Sequence, residues 1–241
     1  MQQETIKQFD AQEHSTWKTL YGRLEHCRQH QAHPLYAEGI RRLDMPADRI
    51  PPLDEINKRL KDATGWQGVP VQGLEGPESF FAGLKDRRFP IGNFIREPTD
   101  LSYTPAPDIF HDLYGHLPFF MDPDYGDFCQ RFGAKAAGYF DRPDLLRQFE
   151  RVFWFGVEFP LIRTEQGVRI FGGGILSSWS ESNYALSDEP EVLPFDLEQM
   201  RRREYRIDEI QKTLFVLNEP GQLYACPDEL DEAVRRDRQA S

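Results

Sequence analysis

PDIFHDLYGHLPFF, residues 107–120, holds two of the chain's six histidines, His111 and His116, with Asp112 between them and apolar residues on every side. Asp108 is placed to cap a helix beginning near Ile109, and Gly115 with Pro118 would end it within about two turns. On an ideal α-helix, residues five apart point about 140° away from one another. The two imidazoles therefore reach one metal ion only if the helix unwinds, and Gly115 is where the sequence offers a break. Two buried histidines satisfied by backbone carbonyls are the alternative, and the pair alone does not decide.

A carboxylate that belongs inside the protein would decide it. RPDLLRQFERVFWFGVEFP, residues 142–160, places Leu145, Leu146, Phe149, Val152, Phe153 and Val157 in helical register, with Asp141 as the expected cap and Pro160 as the stop. Glu158 sits at the end of this very apolar helix, four residues after Trp154 and on its face. Two neutral imidazoles and one carboxylate form the facial triad that leaves open positions on Fe(II) for oxygen chemistry. The same donors serve catalytic zinc. A zinc peptidase would show HExxH, which is absent, and would need a further carboxylate as base, for which Asp112 is the nearby candidate.

Outward from these segments the chain is mostly helical. Asp10 and Glu13 have capping-box spacing ahead of a stripe of Trp17, Leu20, Tyr21 and Leu24. A second helix is predicted from Asp54 as its cap, through Ile56, Leu60 and Ala63, to Gly65 as its stop. Gly73 to Pro77 reads as a loop, Phe80 to Leu84 as a short helix, and the chain beyond as extended. LIRTEQGVRIF, residues 161–171, reads as two strands about a turn at Glu165–Gly167. A late helix is expected with Ile207 and Ile210 on one stripe, then a strand TLFVL closed by the turn NEPG. The predicted class is α+β with helices dominant.

At 39% hydrophobic, with 18 Phe and 4 Trp, the 241 residues can bury a sizeable core without disulfide or metal staples. No linker, repeat or change of composition divides residues 1–241, which read as one domain. Lys and Arg number 29 against 40 Asp and Glu, a formal net charge of -11. That field repels phosphate backbones and anionic lipid surfaces, so nucleic acid and membrane partners are not expected. Cys27, Cys129 and Cys226 are odd in number and lack CxxC pairing, which suits reduced thiols and a cytoplasmic location. There is no apolar signal core and no run near the ~20 apolar residues of a membrane span. Residues 1–9 and 228–241 read as short tails that need not be ordered, the charged end DELDEAVRRDRQAS as a solvated or frayed helix rather than a binding element.

YTPAPDIFHDLYGHLPFF (103–120), FWFGVEFPL (153–161) and GGGILSSWSE (172–181), in that order, resemble the aromatic amino acid hydroxylases, their bacterial members above all. The similarity extends from EHSTWKTLYGR to YRIDEIQKTLFVL, about residues 11–217. It implies a single catalytic domain of that type with a small antiparallel sheet. It also implies a monooxygenase that converts L-phenylalanine to L-tyrosine with Fe(II), tetrahydrobiopterin or a related reduced pterin, and O2.

By this resemblance His111, His116 and Glu158 are the iron ligands. Gly73 and Leu74 lie in the loop that reads the pterin edge, Phe80 stacks on the pterin, and Asp112 and Phe153 border it. Arg96 grips the substrate carboxylate, as a bidentate guanidinium can. Thr104, Gly174 and Ser177 complete the amino-acid end, Pro107 packs near the substrate ring, and Trp154 and Phe159 wall the pocket. Ser178 and Glu181 are expected to hydrogen-bond behind the ligands.

Trp154 stands where the tryptophan enzymes of the family tend to carry Phe, which favours phenylalanine. Tryptophan 5-hydroxylation, tyrosine 3-hydroxylation and phenylalanine 3-hydroxylation remain the alternatives of the same class. A zinc hydrolase built on the same two histidines and glutamate, and a non-catalytic amino-acid-binding protein, are the alternatives outside it. The animal members' regulatory domain and oligomerisation helix have no counterpart here, so a monomer is expected. Its functional partners would be a pterin-4a-carbinolamine dehydratase and a dihydropteridine reductase.

Overall fold

Asp10 closes a reciprocal capping box: its Oδ1 accepts the Glu13 N–H and Glu13 Oε2 accepts the Asp10 N–H, both at 2.9 Å. Helix α1 (Ala11–Arg23) follows and buries Trp17 and Leu20, with Leu24 buried just beyond it. The computed structural model describes residues 5–99, 101 and 106–240. Residues 5–9, expected to be part of a loose tail, are placed: Phe9 packs on the core and the Lys7 N–H donates to Asn93 Oδ1 at 2.8 Å.

Helix α2 (Pro34–Arg42) has proline in its first turn, and α3 (Leu53–Thr64) starts after Pro52. Asp54 is thus not the cap; it lies with Glu55 in the first turn, where carboxylates favour the helix dipole. Gly65 ends α3 at φ 76°, a left-handed conformation that glycine adopts without strain.

Strands β1 (Gln67–Val71) and β2 (Arg88–Gly92) pair in parallel, Gln67 opposite Arg88 through Val71 opposite Gly92, and α4 (Pro77–Lys85) is the crossover between them. Strand β2 alternates, with Phe89 and Ile91 buried beside the less buried Arg88 and Pro90, whereas β1 shows no such pattern. The end of β2 leads to the histidine segment, where the Ile109 N–H donates to Phe94 O at 2.8 Å.

Helices α5 (Pro123–Ala136) and α6 (Pro143–Phe153) follow. The apolar register expected for α6 is present, with Leu145, Leu146, Phe149, Val152 and Phe153 buried. Its cap position falls on Arg142 rather than Asp141, because Pro143 occupies the first turn. The chain then enters β3 (Leu161–Thr164) and turns into β4 (Gly167–Ile170), an antiparallel pair with Gly167 at φ 102°.

The hairpin brings the chain before β3 beside the chain after β4, with the Phe171 N–H on Pro160 O at 3.0 Å. Helices α7 (Gly173–Leu176) and α8 (Trp179–Ala185), strand β5 (Glu191–Pro194), helix α9 (Leu197–Arg202) and strand β6 (Thr213–Leu217) complete this half. The sheet order is β4-β3-β6-β5, with β6 parallel to both its neighbours. The expected class, α+β and predominantly helical, is the one observed, but the small sheet expected to be antiparallel is so only at β3–β4; every other strand pair is parallel.

Two further expectations fail. Ile207 and Ile210 are on no helix: they are 66% and 42% exposed, in irregular chain between α9 and β6. There the buried Gln211 amide donates to Arg206 O at 2.7 Å and Glu209 O at 2.9 Å, offering these carbonyls a partner other than a helical N–H. Residues 228–240 are no frayed tail but the second half of α10 (Pro220–Ala240). Leu223, Cys226, Leu230 and Val234 on this helix are fully buried. Its charges have fixed partners as well, Lys135 on Asp228 at 2.9 Å and Arg201 on Asp237 at 2.6 Å. Among the described residues no helix is long and apolar enough to cross a membrane.

Candidate metal centre and active-site cavity

Asp108 starts the histidine helix, its Oδ1 accepting the His111 N–H at 2.9 Å. From there the chain widens into a π-helical turn, His111–His116, closed by the Leu117 N–H on Asp112 O. Bonding of residue i to i+5 brings residues five apart nearly over one another, so both imidazoles face one point without a break. Gly115 is needed for a different reason: a Cβ there would lie 2.5 Å from the Gly173 carbonyl oxygen. Glu158 ends a second π turn, Trp154–Glu158, with the Phe159 N–H on Trp154 O at 3.1 Å.

His116 Nε2 lies 3.0 Å from His111 Nε2 and 3.0 Å from Glu158 Oε2, and the third separation, His111 Nε2 to Glu158 Oε2, is 3.7 Å. Ligand atoms about 2.1 Å from a metal lie about 3.0 Å apart on an octahedral face and about 3.4 Å apart in a tetrahedron. The three atoms therefore fit around one ion.

Ser177 settles the His111 tautomer. Its single hydroxyl hydrogen goes to Gly174 O at 3.0 Å, so its oxygen accepts from His111 Nδ1–H at 2.9 Å and the Nε2 lone pair is left for a metal. His116 is held by packing: its Nδ1 is buried without a hydrogen-bond partner, with the Phe89 ring at 5.0 Å. A Cβ on Gly173 would be 2.5 Å from the same imidazole, and one on Gly172 would be 2.2 Å from Glu158 O. The triple glycine is what lets the chain after β4 lie against two ligands at once.

Burial, aided by His116, pushes His111 down to about 4, so its ring is neutral. Burial also acts to strip the proton from His116, but the adjacent Glu158 outweighs it and raises this pKa above the ordinary value. Against its own burial, Glu158 is held below the ordinary carboxylate value by the two histidines and the Gly174 N–H. Asp112 is pushed up to about 8 by burial, although its Oδ2 accepts the Gly92 N–H at 2.6 Å.

The ligands open into a cavity of about 700 Å³. Every residue expected at the site lines it except Thr104, which lies outside the described residues. Its lining includes Phe80 and Phe153, which meet edge to face at 5.0 Å, and Gly73, Leu74 and Asp112. Gly73 has φ 120°, and Leu74 is 71% exposed at the rim.

The lining also includes Trp154 and Phe159, ring centroids 4.7 Å apart, and Arg96, Pro107, Gly174 and Ser177. Arg96 is buried, and Asp108 takes it bidentately, Nε to Oδ2 at 2.8 Å and Nη2 to Oδ1 at 2.9 Å. Ser178 and Glu181, expected behind the ligands, hydrogen-bond with one another at the start of α8 instead.

Three contributions were not foreseen. Asp108, expected only as the cap of the histidine helix, also pairs Arg96. Tyr205 stacks on Trp154 at 4.5 Å, and Gln211 accepts the Trp154 indole N–H at 3.0 Å. A polar residue beside the apolar run TLFVL was the available sign of Gln211; nothing local marks Tyr205.

A family model described as biopterin-dependent aromatic amino acid hydroxylase matches residues 3–224, and the chain belongs to that family. It is 41% identical over 227 residues to the phenylalanine-4-hydroxylase of Chromobacterium violaceum, covering 92% of this chain and 74% of the relative. It is 42% identical over 226 residues to that of Ralstonia nicotianae, covering 92% and 71%. Its fold superposes with a TM-score of 0.89 on the C. violaceum phenylalanine hydroxylase crystal structure with bound iron(III) and oxidised cofactor 7,8-dihydrobiopterin. That match is at 39% identity and spans 97% of this chain and 86% of the other.

Proposed function

We propose that the protein is a pterin-dependent, non-haem iron monooxygenase that hydroxylates L-phenylalanine to L-tyrosine, with tetrahydrobiopterin or a related reduced pterin and O2. The observation that carries this reading is one cavity lined both by a cluster of two histidines and one carboxylate and by two aromatic pairs, Phe80 with Phe153 and Trp154 with Phe159. The same donors would serve a zinc hydrolase. A hydrolase, however, has no use for a second flat slot, Phe80 and Phe153, beside its metal.

Bound iron and reduced pterin together supply the activated oxygen. His111, His116 and Glu158 would hold the metal by one face and leave the other open to the cavity. Ser177 keeps Nε2 of His111 free of its proton. Phe80 and Phe153 would hold the flat pterin over Gly73 and Leu74, with Asp112 at its edge. Trp154 and Phe159 would hold the substrate ring, with Pro107 beside it. Arg96, fixed by Asp108, would meet the substrate carboxylate together with Gly174 and Ser177. The apolar lining keeps water from the reacting atoms.

We further infer a cytoplasmic monomer whose spent pterin is restored by a pterin-4a-carbinolamine dehydratase and a dihydropteridine reductase. Incubation with Fe(II), tetrahydropterin and O2, with Phe, Tyr and Trp offered separately, tests the activity. Tyrosine from Phe is expected. Turnover of another aromatic amino acid without tyrosine formation would overturn the substrate, and full activity with stoichiometric zinc and no response to Fe(II) would overturn the metal.

A further inference from the structure

The cavity is lined by one cation, Arg96, and by three carboxylates for which no ion pair with a cation is found among the described residues, Glu75, Asp112 and Glu181. Ser178 to Glu181 has the spacing of a capping box, and half of the box forms: Ser178 Oγ accepts the Glu181 N–H at 3.3 Å. The reciprocal half does not, because the Ser178 N–H is taken by Ile175 O at 3.1 Å. The Glu181 carboxylate therefore takes no backbone N–H at the helix start and has the Ser178 side chain as its hydrogen-bond partner, and Glu181 lines the cavity together with Arg96, Pro107, Ser177 and Ser178.

Among the described residues no Lys, Arg or His forms an ion pair with Glu181; Arg96 and Glu158 are the charged groups that act on it, from a distance. Burial pushes its pKa up to about 7, against the hydrogen bond from Ser178. A carboxylate withdrawn from water without a counter-charge is costly, and a cation arriving beside it removes that cost. A free amino acid brings such a cation along with its carboxylate.

The other acids of the cavity are already engaged: Glu75 accepts from the Ser79 hydroxyl, Glu150 pairs with Arg147, and Asp208 and Glu209 pair with Arg206. Glu158 lies against both imidazoles, Asp108 is bound by Arg96, and Asp112 accepts from Gly92. We propose that Glu181 binds the α-ammonium group of the substrate, so that Arg96 and Glu181 together recognise the zwitterion. The proposal rests on the amino-acid substrate inferred above. It adds a reason for the enzyme to reject aromatic acids that lack the amino group.

The test is calorimetric binding to the iron-loaded protein without pterin, comparing L-phenylalanine with 3-phenylpropanoate, which lacks only the ammonium. The isosteric variant Glu181→Gln should weaken L-phenylalanine binding about tenfold or more while leaving 3-phenylpropanoate within about twofold, and Glu181→Asp should recover part of the difference. Near pH 7, binding of L-phenylalanine to the unaltered protein should release protons, seen as an enthalpy that depends on the buffer. Binding of 3-phenylpropanoate should release fewer.

An unchanged ratio of the two affinities in Glu181→Gln overturns the proposal. If that variant does not fold, equal proton release by the two ligands overturns it. If L-phenylalanine does not bind at all and another aromatic amino acid does, the substrate reading fails. The same comparison with that amino acid and its desamino analogue then decides Glu181.

Discussion

At the scale of single residues, the site depends on where a few protons lie. Ser177 directs the His111 proton to Nδ1, and a hydrogen-bond partner behind a metal-bound histidine is worth roughly 10–100-fold in metal affinity. Ser177→Ala should weaken Fe(II) binding by a factor in that range with the fold unchanged, measured by metal titration with circular dichroism as control. His116 must lose its proton to bind a metal, and Glu158 raises the pKa at which it does so. Fe(II) affinity should therefore fall as pH drops below the pKa of His116 and level off above it. A titration series from about pH 6 to about pH 8.5 would show this rise, and a flat profile would contradict it.

The candidate ligands were legible at this scale, because two histidines and one buried glutamate are rare chemistry in an apolar setting. The role of Asp108 was legible only in half. Capping is a local property, whereas its pairing with Arg96 is made across a cavity end that local pattern does not describe. That pairing alters what Arg96 means: removing the guanidinium would strand a fully buried carboxylate, which costs roughly 3–5 kcal/mol, as well as the substrate anchor.

At the scale of elements, π turns replace the expected helix break. The spacing of His111 and His116 looked wrong for a helix only because an α-helix was assumed; one i→i+5 turn makes five residues the correct interval. A helical stripe of two residues, Ile207 and Ile210, was too little to outweigh side-chain bonding to the backbone. Gln211 ties that irregular segment to the indole of Trp154 through three hydrogen bonds. Gln211→Met keeps the bulk and removes all three, leaving the indole N–H and two carbonyls without these bonds, at roughly 1–3 kcal/mol for each group that stays buried. The expected result is a looser aromatic slot, seen as a raised KM for phenylalanine and weaker discrimination against tryptophan in competition assays. Unchanged selectivity would show that the slot is held without Gln211.

At the scale of the whole molecule, α10 completes the core from the far end of the chain. Leu223, Cys226, Leu230, Ala233 and Val234 keep one face apolar, while the charges between them hid that face from a reading of composition. Leu230→Ala should destabilise the protein by roughly 2–5 kcal/mol, measured as a lowered denaturant midpoint with an unchanged slope. Little or no shift would place α10 outside the cooperative unit.

What the sequence by itself determined is chemical: a mostly helical α+β chain with an ample core, a His-His-Glu donor set, and motifs of one family in order along the chain. These follow from residue type and near-neighbour spacing, which carry propensity, capping and ligand chemistry directly. Only the tertiary structure decided how the donors meet. The β3–β4 hairpin lays the triple glycine against Glu158 and His116, the parallel β1–β2 pair carries Gly92 to Asp112, and a segment without regular structure sets Gln211 on Trp154. Each is a contact between distant parts of the chain, set by close packing and by the need of buried polar groups for partners, and neither requirement leaves a periodic mark in sequence.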